Sequence, residues 1–274
     1  MVAKPPDFWK LVQSLTCRLA GLCSSLMARF SPEVEMKVGI LIVGSLWWDD
    51  TPSRTAWRKS RLAVDRPMPV RAPIRYGRCS TNRKHTYTMT FGGDASQGIA
   101  LVIPCIGPIS EAAGLLSEAV ELWGAEDNKL VDTKRLGAGW GCVGAVFRPD
   151  LRNGELCRNW SVLFRERVKE PVAEVNADGI LEITWPASPE LQSSGIGALL
   201  ATATRPAGVR PTPNMMAEAW ADKGSEEYFF NNVACGIRTA DDEAILKRLR
   251  ELRPEWAEDV RYANAVAALT GPPT

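Results

Sequence analysis

The feature that most constrains this chain is an unbroken apolar run, Val38-Gly39-Ile40-Leu41-Ile42-Val43, that stops abruptly at Gly44-Ser45-Leu46. A run rich in β-branched residues, with no alternation of polar and apolar side chains, reads as a strand buried on both faces. Such a strand needs neighbours on either side and a layer above and below it. The fold must therefore contain a covered sheet, and 274 residues are enough to build one large domain or two small ones around it. Where the strand ends, two small residues let the backbone turn sharply and leave its amides open to a ligand.

The later segments fit the same sheet. Arg71–Tyr76 and Thr86–Phe91 read as strands, the second alternating with period two, so that one of its faces is buried. Gly98–Ile103 is another buried strand, stopped by Pro104, and Gly141–Phe147 is a further one. Ser110–Trp123 carries a helical pattern, with Ser110 as its N-cap and Ile109, Ala112, Ala113, Leu116, Val120 and Trp123 on the apolar side. A helix is expected over Cys157–Lys169 and a β segment over Leu181–Trp185, whereas Gly195–Ala203 fits helix or strand equally well. Helices are also expected over Asn214–Lys223, Glu226–Gly236, Asp241–Leu252 and 254–268. Strands arrive consecutively rather than in steady βαβ alternation. The expected class is α+β: a curled mixed sheet or small barrel flanked by helices, formed by residues 36–270 as a single domain.

Residues 1–35 have a different character. Phe8, Val12, Leu15, Leu19, Leu22 and Leu26 make one apolar stripe at helical spacing, opened after Pro5-Pro6-Asp7 and closed at Ser31-Pro32. They read as an N-terminal amphipathic extension, suited to forming a homodimer or to docking. Equally, Met36 opens a segment like the start of many cytosolic α/β proteins, which makes 1–35 an upstream addition to the domain.

Composition narrows the function classes. A net charge of +1 gives no global field for nucleic acid or an anionic membrane. The basic residues Arg71, Arg75, Arg78, Arg83 and Lys84 cluster only locally, as a solvated strand face or the wall of an anion pocket. No apolar stretch reaches the length of a membrane span. Seven cysteines without a CxxC spacing, and a single histidine, His85, argue against zinc and for buried thiols in a reducing cytoplasm. His85 is also the only base available to a serine or cysteine nucleophile, and the nucleophile-elbow pattern is absent.

Ile42-Val43-Gly44-Ser45-Leu46 resembles the tyrosine-glycine-serine-asparagine/leucine-leucine loop of the γ-glutamyl cyclotransferase-like family, with Val43 in place of the tyrosine. Thr86–Phe91 is similar to that family's second core strand, and Gly98–Pro104 to its glycine-led strand ending in proline. The resemblance covers about residues 37–150. It implies a γ-glutamyl small-molecule substrate, release of 5-oxoproline, and no metal or other cofactor. It also implies that Val43, Gly44, Ser45 and Leu46 hold the glutamyl group, and that one acid lies beyond the glycine-proline strand.

The reaction asks for little. The substrate's own α-amine attacks its γ-carbonyl, a carboxylate moves one proton, and backbone donors hold the oxyanion. The candidate acids are Glu118, Glu121 and Glu126. Glu121 is preferred for its apolar neighbours Val120, Leu122 and Trp123, and Glu118 follows, one helical turn away. Trp47 is a candidate pocket wall. Arg78 and Ser80 belong to a donor-rich stretch that lines the same pocket or forms a solvated hairpin, and Tyr228, Asn231 and Asn232 either close the site from the far side or pack helices. The alternative function is a non-catalytic module of the same fold that binds a small carboxylate or a protein.

Overall fold

The computed structural model describes residues 36–84, 86–92, 96–127, 135–172 and 174–271. The amphipathic helix expected before residue 36, and with it the homodimer contact, lies outside the described residues, as does His85. Met36–Thr274 forms a compact unit.

Seven strands make one mixed sheet: β1 (Lys37–Ile42), β2 (Met68–Ser80), β3 (Thr86–Phe91), β4 (Gln97–Pro104), β5 (Gly137–Ala138), β6 (Gly141–Phe147) and β7 (Ile196–Thr204), in the order β3-β2-β4-β1-β7-β6-β5. The apolar run that opens the domain is indeed central. It pairs antiparallel with β4 (Ile40↔Ile103) and parallel with β7 (Ile40↔Leu200). Every residue of β7 is buried, so the ambiguous 195–203 segment is a strand. Its alanines and glycine give no strand signal of their own, and ladders on both sides decide the outcome.

The sheet curls without closing. The first half of β2 pairs with β4 and the second half with β3, with a register shift between Tyr76 and Arg78. This bend brings β3 over to β7, where Thr90 Oγ donates to the Thr204 carbonyl at 2.8 Å and Thr204 Oγ donates to the Met89 carbonyl at 3.1 Å. Two side chain–backbone bonds replace a ladder there. The expected mixed α+β sheet is thus found, but it is not a closed barrel.

The helices are α1 (Pro52–Arg61), α2 (Ala112–Glu126), α3 (Glu155–Arg165), α4 (Pro189–Ser193), α5 (Pro213–Lys223), α6 (Glu227–Ala234), α7 (Asp242–Leu252), α8 (Pro254–Ala257) and α9 (Ala263–Thr270). Two expectations fail locally. Ser110 does not cap α2, whose N-cap is Glu111 without a side-chain bond. Residues 181–185 are not a strand, since this region makes only the single bridges Ala145↔Ile180 and Val175↔Leu181. Along α2 the buried residues are Ala112, Leu115, Ala119, Leu122, Trp123 and Ala125, a stripe turned by about one position from the expected one. That rotation decides which of its glutamates faces the protein.

An aromatic cluster fixes α6 against the sheet. Tyr76 meets Trp220 edge-on at 5.0 Å, Trp220 meets Phe229 at 5.6 Å, and Tyr76 also meets Tyr228 at 6.3 Å. Each such pair contributes about 0.5–1.5 kcal/mol beyond burial. Together they hold Tyr228 over the end of β1.

Candidate functional site

The strands β1 and β7 are parallel, so their C-terminal ends lie at the same end of the sheet. A cavity of about 430 Å³ opens there, bordered by Val43, Gly44, Ser45 and Leu46 from the turn after β1. The turn itself is tied by Trp47 N–H donating to Gly44 O at 3.2 Å and Asp49 N–H donating to Ser45 O at 2.9 Å. The amides of Gly44, Ser45 and Leu46 donate to no acceptor among the described residues. Three successive amides beside a cavity form the kind of concave donor set that receives a carboxylate or an oxyanion.

Opposite this turn stands Glu126, the last residue of α2. Its side chain is 18% exposed. Burial pushes its carboxyl above the usual range, against the opposing pull of Arg54, Arg78 and Arg83. The position at a helix C-terminus, where the macrodipole is negative, acts in the same direction as burial. Thr202 of β7 lies near enough to favour the ionised form, although its hydroxyl makes no well-formed bond to the carboxylate.

Three arginines surround the acid. Arg54 of α1 donates from Nη2 to Glu126 Oε2 at 3.0 Å and from Nη1 to Ser45 Oγ at 2.9 Å and Asp49 Oδ2 at 2.8 Å. Arg83 shares Asp49 at 3.4 Å and lies over the rings of Tyr228 and Trp48, at 4.8 and 5.3 Å. Arg78 differs from both. Its guanidinium sits 4.3 Å from the centre of the Trp140 ring, which in turn stacks on Trp123 at 4.8 Å. No carboxylate among the described residues is within ion-pair distance of it. Burial lowers its pKa, as expected for a half-buried cation partly withdrawn from water.

Tyr228 closes the far side. Its hydroxyl oxygen accepts the Met89 amide at 3.1 Å, and burial raises its pKa. The same oxygen lies against Gly44: a Cβ built at Gly44 would stand 2.6 Å from it. Glycine is required here by that approach, since the Gly44 backbone is not in the left-handed region. Trp48 buttresses the group by donating its indole N–H to Asn232 Oδ1 at 2.7 Å.

The residues anticipated from sequence therefore divide. Val43, Gly44, Ser45, Leu46, Arg78 and Ser80 all border the cavity, and Trp47 does not. Glu121 is exposed on the outer side of α2, and Glu118 is bound by Arg61 of α1; neither reaches the cavity. Glu126, the remaining candidate, does. The signal was present in the chain: 112, 115, 119, 122 and 126 repeat at 3- and 4-residue steps and place Glu126 on the inward stripe. Arg54 carries no sequence motif, and its role arises from α1 packing beside α2. Cys79 is exposed rather than buried, whereas Cys105, Cys142 and Cys157 are buried as expected.

Among the described residues, no group of three or more histidine, cysteine, aspartate or glutamate side chains is placed to hold a metal, and no helix is long and apolar enough to cross a membrane. No family model, no curated protein and no solved structure matches this chain.

Proposed function

We propose that this chain is a γ-glutamyl cyclotransferase-like enzyme that releases 5-oxoproline from a γ-glutamyl amine or peptide, with Glu126 as its acid–base group. The observation that carries the reading is the juxtaposition of one half-buried carboxylate of raised pKa with three unspent amides on a single small cavity. Glu126 takes a proton from the substrate's α-ammonium. The freed amine attacks the γ-carbonyl, forming the ring C–N bond and placing negative charge on oxygen. The amides of Gly44, Ser45 and Leu46 receive that oxygen. Glu126 then returns its proton to the departing nitrogen as the original C–N bond breaks and the amine leaves, and the ring nitrogen gives up its second proton to solvent, which leaves the lactam N–H of 5-oxoproline. Arg78 is suited to the substrate's α-carboxylate, because a half-buried guanidinium on the cavity wall, with no ion pair among the described residues, gains from an incoming anion. Tyr228 brings a hydroxyl to the turn in which Val43 has none.

The chemistry needs no metal, organic cofactor or protein nucleophile. A cytoplasmic setting belongs to the same proposal and suits the free thiols. A second reading, a carboxylate-binding module without turnover, is favoured by the Arg54–Glu126 ion pair, which occupies one oxygen of the acid. A panel of γ-glutamyl amino acids, γ-glutamyl amines and glutathione, assayed for 5-oxoproline by mass spectrometry, separates the two. Release from any member supports the enzyme. Saturable binding of glutamate or 5-oxoproline without release supports the module.

A further inference from the structure

We infer that Arg54 is the positioning residue of this site, fixing with one guanidinium the place of the Glu126 carboxylate relative to the turn that receives the substrate's carbonyl. The inference rests on the cyclotransferase reading for its kinetic consequences, and on geometry for the contact itself. Arg54 is only 12% exposed and uses all three of its nitrogens. Nε donates to the Ala125 carbonyl at 3.2 Å, one of the acceptors that the end of α2 leaves without an intrahelical partner. Nη1 reaches Ser45 and Asp49 on the turn, and Nη2 reaches Glu126 itself. The helix end, the acid and the turn thus hang on one rigid planar group.

Lysine offers a single charged point on a flexible stem and cannot reproduce that fork. The two parts of Arg54's work are therefore separable. Its charge favours the ionised acid, and its shape sets where that acid stands. The other groups that face Glu126 among the described residues are Arg78 of β2, Arg83 beyond it, Thr202 of β7, Tyr228 of α6 and the adjacent Asp127. All of them remain when Arg54 is replaced, so a change in titration on replacement belongs to Arg54.

The experiment compares wild type, Arg54→Gln and Arg54→Lys. In 5-oxoproline release, Arg54→Gln lowers kcat roughly 10- to 100-fold while KM stays within about threefold, because Arg54, although it borders the cavity, has its nitrogens engaged by Ala125, Ser45, Asp49 and Glu126. The acid limb of its kcat–pH profile moves to higher pH by about one unit or more, the low end for loss of a contacting opposite charge. Arg54→Lys restores the limb and leaves kcat low. Independently of turnover, carbon-13 NMR of glutamate-labelled protein, with Glu126 assigned through Glu126→Gln, follows the carboxyl titration directly and shows the same order. An unmoved Glu126 titration in Arg54→Gln overturns the inference, as does a Lys variant with full kcat. Failure of both variants to fold at 25 °C by circular dichroism also overturns it, since Arg54 is then a strut of the fold. If wild type releases no 5-oxoproline, the cyclotransferase reading falls, and the NMR titration alone decides whether Arg54 governs Glu126.

Discussion

Gly44→Ala tests how the turn after β1 is packed. The added methyl carbon stands 2.6 Å from the Tyr228 hydroxyl oxygen, inside any tolerable contact, and Tyr228 is only 4% exposed. Forcing a methyl into a filled site costs about 1–3 kcal/mol. If the ring turns away, the Met89 amide loses its acceptor, at about 1–3 kcal/mol for a buried unsatisfied donor. The expected loss is roughly 2–4 kcal/mol, read as a lower urea midpoint at unchanged m. Tyr228→Phe removes the oxygen, and the next ring atom lies 3.7 Å from the new methyl, an ordinary contact. In that background Gly44→Ala therefore costs less than about 1 kcal/mol. The double-mutant cycle shows a coupling of about 2 kcal/mol. Single costs that add to within about 0.5 kcal/mol refute the packing argument, because independent sites behave that way.

Two further outcomes follow from buried charge. Asp242 is fully buried, and desolvation raises its pKa to about 6 despite bonds from Thr239 and Arg238. The folded state therefore holds this proton more tightly than the unfolded chain, and the stability contributed by the protonated form is lost as pH rises from about 4 to about 6. A shift of that size corresponds to about 3 kcal/mol, so the stability of Asp242→Asn relative to wild type improves by up to that amount between pH 4 and pH 7 in urea titrations. A difference that stays flat contradicts it. Arg78→Met raises KM for a γ-glutamyl substrate roughly 10- to 100-fold with kcat little changed, the loss of one charge-assisted contact. Because the Trp140 ring is the only side-chain partner of the Arg78 guanidinium among the described residues, its Tm falls little; a large drop in Tm with unchanged KM makes Arg78 a packing residue.

Much of the sheet was legible because its strands announce themselves locally. Thr86–Phe91 and Gly141–Phe147 coincide with β3 and β6, and the Val38 run is the central strand. β7 was not legible, since its alanines and leucines favour a helix as readily as a strand, while small residues suit its crowded middle position. The addition of a Cβ at Gly39, between Val102 and Leu199, shows how tight that middle is. Closure of the sheet depends on how far β2 bends, which a period-two pattern does not encode.

In the site, the turn was visible and the acid only half so. The phase of α2 turns on whether Leu115 or Leu116 faces inward. Taking Leu116 favours the neighbourhood of Glu121, and taking Leu115 leads to Glu126. The helix also runs to Glu126 rather than Trp123, because Arg54 satisfies its last turn from another element. Long-range partners of this kind leave no trace in local spacing.

The most direct test is single-turnover release of 5-oxoproline from a γ-glutamyl substrate by wild type and Glu126→Gln, each in saturating excess over the substrate, with Glu121→Gln as the control. The expected result is release by wild type and Glu121→Gln alike, and a loss of at least about 100-fold in Glu126→Gln, within the range for removing a general acid–base group. Undiminished release by Glu126→Gln would contradict the assignment of Glu126, and no release by wild type would contradict the proposed reaction itself.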